Sequence, residues 1–81
     1  MRGYVIQSIS EEGIYYLCNG WHKHKALWVK YGELSKAIFK TPAQAKSSLT
    51  KLLKVMDDYK NDHFSICELH GNYDIIVKEE I

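Results

Sequence analysis

The residues of this chain best equipped for chemistry are two cysteines and four histidines, and most of them gather at two places. Cys18, His22 and His24 surround Asn19–Gly20, and Cys67 and His70 sit by a second turn-like stretch. Zinc takes such ligands, yet C-x3-H-x-H and C-x2-H match no common zinc module, and the helix described below adds no ligand to close a tetrahedron. An extended Trp21–Lys25 would place His22 and His24 on one face, while a tight turn at Asn19–Gly20 would set Cys18 opposite Trp21, away from both. We therefore expect rim histidines, packed thiols and no metal. Cys67 with His63 or His70 could make a thiol–imidazole pair, but no orienting third group or cleft is legible. Asp57–Asp58 and Glu79–Glu80 fall at a helix end and a chain end, where solvation accounts for them. No phosphate-binding loop occurs, and the expectation is no catalytic residue and no cofactor.

A third group of residues is basic and aromatic: Trp21, Lys23, Lys25, Trp28, Lys30, Tyr31, Lys36 and Lys40, continuing into Lys46, Lys51 and Lys54. The net charge of +1 hides this concentration. Residues 1–20 carry −1, residues 21–54 carry eight lysines against Glu33 for +7, and residues 55–81 carry −5. Lysines follow phosphates and aromatic rings stack on unpaired bases, so the composition permits nucleic-acid binding. Arginine, which reads bases and forks onto phosphates, occurs only as Arg2, and that argues against sequence-specific DNA recognition. The same lysines would also suit the acidic surface of a protein. Folding that brought the basic and acidic thirds together would simply balance the charge. Tryptophan is more often core than exposed anchor, which bears on Trp21 and Trp28.

The elements that must position these groups centre on one helix. Thr41 reads as an N-cap, Pro42 needs no amide at the first helical position, and Gln44 can complete a capping box. Ala45, Leu49, Leu52, Leu53, Val55, Met56 and Tyr59 then recur at three- and four-residue spacing, opposite Lys46, Thr50, Lys54, Asp57 and Asp58. The helix should stop near Asn61. Lys46 near its start and Asp57–Asp58 near its end oppose the macrodipole, as if placed for a partner. Before the helix, Tyr4–Ile9 and Ile14–Cys18 read as strands joined at Ser10–Gly13, and Asn19–Gly20 is a two-residue hairpin signal. A third strand should leave from Trp21, its better part being Ala26–Tyr31. Glu33–Lys36 reads as a loop, and Ala37–Phe39 as a short extended piece. After the helix come strands at His63–Leu69 and Tyr73–Lys78 around the turn His70–Tyr73, then a fraying Glu79–Ile81. The order β-β-β-α-β-β predicts a single α+β domain over residues 1–81, a small antiparallel sheet with one helix packed on one face. At this length a single core is marginal, so partners would matter to stability. No signal-peptide-like or membrane-spanning run is present, and a cytoplasmic protein with no membrane partner is expected, its two cysteines remaining thiols.

The Y-V-I opening at Tyr4–Ile6, the Y-Y-L strand at Tyr15–Leu17, and A-I-F-K-T-P-A-Q-A-K-S-S-L at Ala37–Leu49 together resemble a broad class of short phage and prophage proteins. The resemblance is one of layout and covers about half of the chain; its motifs are structural and carry no catalytic residue across. It implies an accessory protein of a mobile element, of a kind that often blocks a host machine such as a CRISPR or other defence complex. The expected function is thus a non-enzymatic inhibitor occluding a host protein or nucleoprotein complex through the 21–54 span or the acidic last third. The rival is a small nucleic-acid-binding module using that span. Head-to-tail pairing of basic and acidic ends, or pairing of exposed strand edges, would also give a homodimer.

Overall fold

The computed structural model describes residues 2–20, 27–55, 62–71 and 74–81. Five strands form one antiparallel sheet: β1 (Gly3–Ser10), β2 (Gly13–Leu17), β3 (Trp28–Val29), β4 (His63–His70) and β5 (Asp74–Glu80), in the order β3-β2-β1-β4-β5. A 3-10 segment (Tyr31–Ala37) and a helix, α1 (Pro42–Val55), lie between β3 and β4. The small α+β fold expected from the sequence is the one observed.

Successive buried side chains of β1, β2 and β4 point to opposite faces, and each face meets a different cover. On one face Ile6, Leu17, Phe64 and Ile66 pack with Ala45, Leu49 and Leu52 of α1 and with Phe39. On the other, Val5, Tyr16, Cys67 and Leu69 pack with Leu34 and Ala37 of the 3-10 segment. The expected loop at Glu33–Lys36 is therefore helical, kinked at Glu33 (φ −118°, ψ 26°), and it covers part of the second face. Leu34 explains this: it is an apolar residue in a polar stretch, and only a turn of helix delivers it to the sheet.

The helix starts where its local chemistry says it should, with the Gln44 amide donating to Thr41 Oγ1 at 3.1 Å. Its buried stripe is narrower than the sequence suggests. Ala45, Leu49 and Leu52 are buried and Leu53 half-buried, but Val55 is 41% exposed. Met56, Asp57, Asp58, Tyr59 and the stop near Asn61 lie outside the described residues, as do Asn72 and Tyr73 of the second turn.

Two further expectations are corrected. The Asn19–Gly20 signal does not close a two-residue hairpin: Leu17 pairs with Trp28, and the Cys18 amide donates to the Leu27 carbonyl at 2.8 Å, a register set by Leu27–Val29. Asn19 is instead held by the segment before the helix. Its amide donates to the Lys36 carbonyl at 2.9 Å and its Nδ2 to the Ile38 carbonyl at 2.8 Å. Where β2 leaves β1, Phe39 takes its place, exchanging two hydrogen bonds with Tyr4 at 2.9 and 2.8 Å. Nor does the C-terminus fray. Glu79 and Glu80 belong to β5, and the Ile81 amide donates to the Phe64 carbonyl at 2.9 Å. A bulge makes this reach possible: Ile66 pairs with Glu79 but Cys67 with Val77, leaving Lys78 as the extra residue.

Candidate lysine surface

The described basic residues of the 21–54 span lie on different elements of the fold. Trp21, Lys23, Lys25, His22 and His24 lie outside the described residues. Lys30, Tyr31 and Lys36 are exposed on or beside the 3-10 segment, on the sheet face opposite α1. Lys36 is matched there by Glu33 at 2.8 Å, which draws the carboxyl below its ordinary range and raises the lysine. Lys40 lines a separate cleft with Arg2, Tyr4, Glu68 and His70. Among the described residues, the basic side chains of the 21–54 span thus fall into three groups.

The third group is the solvent face of α1, where Lys46, Lys51 and Lys54 surround Ala43, Ser47 and Thr50. Helical periodicity sets them there, opposite Ala45, Leu49 and Leu52. No carboxylate occurs in Pro42–Val55. Lys46 is answered from the sheet, its Nζ donating to Glu79 Oε1 at 2.6 Å. Its place near the helix start is therefore explained inside the fold, and one basic residue of the middle third does balance an acid of the last. Lys51 also borders a groove of about 610 Å³ lined by Asn19, Gly20, Phe39 and Gln44.

Trp28 is a packing residue. It is half-buried on the helix side, stacked on Phe64 with ring centroids 6.2 Å apart. With Ser8, Ser10 and Tyr15 it also lines a cleft of about 260 Å³ whose two charged residues, Glu12 and Asp62, are opposite in sign to the lysines.

The thiol–imidazole pair is not assembled. Alternation along β4 puts His70 on the face opposite Cys67, while His63, on the same face, is four residues away, about 13 Å along a strand. His70 instead meets Glu68 at 3.1 Å, and Lys78 meets the other oxygen of that carboxylate at 3.1 Å. Lys78 and His70 together hold the Glu68 carboxyl below its ordinary range. Cys67 is fully buried beside Val5, and burial pushes its thiol up to about 11. Iodoacetamide at pH 8 should accordingly modify native Cys67 at least about a hundredfold more slowly than the unfolded chain, as read by mass spectrometry of the Cys67 peptide. The sign for stability follows. The unfolded thiol ionises first, so stability falls as pH rises from the ordinary thiol value through about 11, with no contribution below it.

Among the described residues no group of three histidine, cysteine or acidic side chains is placed to hold a metal. None of their helices is long and apolar enough to cross a membrane. Comparison with protein-family models, curated proteins and solved structures gives no match to this chain.

Proposed function

We propose that this is a non-enzymatic binding protein whose lysine-bearing helix docks on an acidic surface of a larger assembly and occludes it. The target class implied by the layout resemblance is a bacterial nucleic-acid-handling or defence complex. The observation that carries the reading is the solvent face of α1, where Lys51 and Lys54 project from fourteen residues that contain no carboxylate. Electrostatics of this kind govern encounter rate and orientation, while contact energy comes from a few well-packed neighbours such as those lining the groove beside Lys51.

The test is charge reversal by surface. Lys51→Glu combined with Lys54→Glu should weaken partner binding by about tenfold or more, whereas Lys30→Glu combined with Lys36→Glu should leave it within about twofold. Titration calorimetry against the recovered partner reads both. Equal losses from the two variants, or none from the first, would contradict the assignment. A direct nucleic-acid module would give a different signature, namely affinity for a single-stranded oligonucleotide that falls steeply with salt.

A further inference from the structure

β5 is the sheet's long open edge. The opposite edge, β3, has two residues and is packed by the 3-10 segment, whereas β5 runs for seven residues, has β4 as its strand neighbour among the described elements, and meets α1 through the Lys46–Glu79 ion pair near its end. Edge strands left uncovered in this way are normally blunted. Here the middle of the strand is Ile75-Ile76-Val77, with Ile76 and Val77 44% and 48% exposed.

The order of residues along this edge is self-complementary. Set antiparallel to a second copy with Ile76 on a two-fold axis, Asp74 falls opposite the copy's Lys78, Ile75 opposite its Val77, and Ile76 opposite itself. Every pair lies on a common face. Asp74 pairs with His70 and Ile76 with Glu68 across β4, and Lys78 reaches Glu68, so these three share the helix side; Ile75 and Val77 share the other with Leu69 and Cys67. Centring one residue further on, at Val77, would oppose Asp74 to Glu80 and Ile75 to Glu79. In the register centred on Ile76 the bulge at Lys78 ends the pairing before either glutamate is reached.

We infer that the chain forms a symmetric dimer through β5, joined edge to edge over Asp74–Lys78 with Ile76 on the axis, so that two five-stranded sheets become one of ten strands. A two-fold normal to the sheet keeps both helices on the same side, and the dimer presents two lysine faces in one direction. The inference stands on the edge alone and does not require the proposed target.

Sedimentation equilibrium on the full chain across about 1 µM to 1 mM, the span in which a small interface dissociates, tests it. The wild type should pass from monomer to dimer. Asp74→Lys sets lysine against lysine and Lys78→Asp sets aspartate against aspartate, so each should raise the dimer Kd by about tenfold. An equimolar mixture of the two should recover wild-type association, because each heterologous pair is again opposite in charge. That recovery also shows that both variants fold. A wild type that stays monomeric through about 1 mM, a Kd unmoved by either single change, or a mixture no tighter than its components would overturn the inference.

Discussion

Replacing Gly3 by alanine should unfold this domain at a temperature about 15 °C lower, corresponding to about 3 kcal/mol. Two costs coincide at the residue. Its φ of +137° lies where side chains are rarely tolerated, and an added Cβ would sit 2.5 Å from Ile38 Cγ2 and 2.8 Å from the Phe39 carbonyl oxygen. Backbone cannot swing aside like a flexible side chain. Relief would require moving Ile38–Phe39 off β1, which breaks the paired Tyr4–Phe39 bonds and the Asn19 clamp on Ile38. The chain would then lose the strap that leads into the Thr41 cap. Gly32→Ala is the matched control. No atom approaches within 4 Å of a Cβ there and its φ is not in the left-handed range, so thermal unfolding should move by no more than about 2 °C.

Leu49→Ala should cost about 3 kcal/mol in urea unfolding, with m little changed. Leu49 is 1% exposed and belongs to the cluster of Ile6, Phe64 and Ile66, at the point where α1 lies over β1 and β4. Truncation leaves a cavity that the two central strands cannot collapse to fill. Val55→Ala, six residues further along the same helix, should change stability by less than about 0.5 kcal/mol because Val55 is 41% exposed. A cost at Val55 equal to that at Leu49 would mean that the helix presents a different stripe to the sheet.

What could be read from the chain was local. The Thr41–Pro42 start is written in three neighbouring residues, and the structure has the Gln44 amide on Thr41 as expected. The strand alternation at Tyr4–Ile9 and His63–Leu69 needed only a period of two, and both strands are present. The errors came where a distant partner outbid a local preference. Asn19–Gly20 has the residues of a tight hairpin, but Asn19 is drawn away by the carbonyls of Lys36 and Ile38, some seventeen to nineteen residues later. Glu79–Glu80 looks like a solvated end, yet a bulge at Lys78 turns Glu79 toward Lys46.

The candidate surface divides in the same way. The number of lysines was visible, and so was their alternation with Ala45, Leu49 and Leu52 along the helix. Their partition was not, because whether Lys36 and Lys51 share a face depends on which side of the sheet each element covers. Leu34 and Ala37 carry the 3-10 segment to the side opposite α1, and the described lysines of these two elements fall on separate surfaces. Trp28 stands in sequence as an aromatic among lysines, and the expectation that tryptophan is more often core than anchor is the one its packing against Phe64, near Glu12 and Asp62, agrees with.

The central claim is that the protein binds another protein by its basic helix. The most direct test is an affinity pull-down from bacterial lysate, split into nuclease-treated and untreated halves and read by mass spectrometry, with wild type run beside Lys51→Glu/Lys54→Glu. The account predicts a protein partner that survives nuclease with wild type and is depleted with the variant. Recovery that collapses on nuclease treatment, or is the same for both chains, would contradict it.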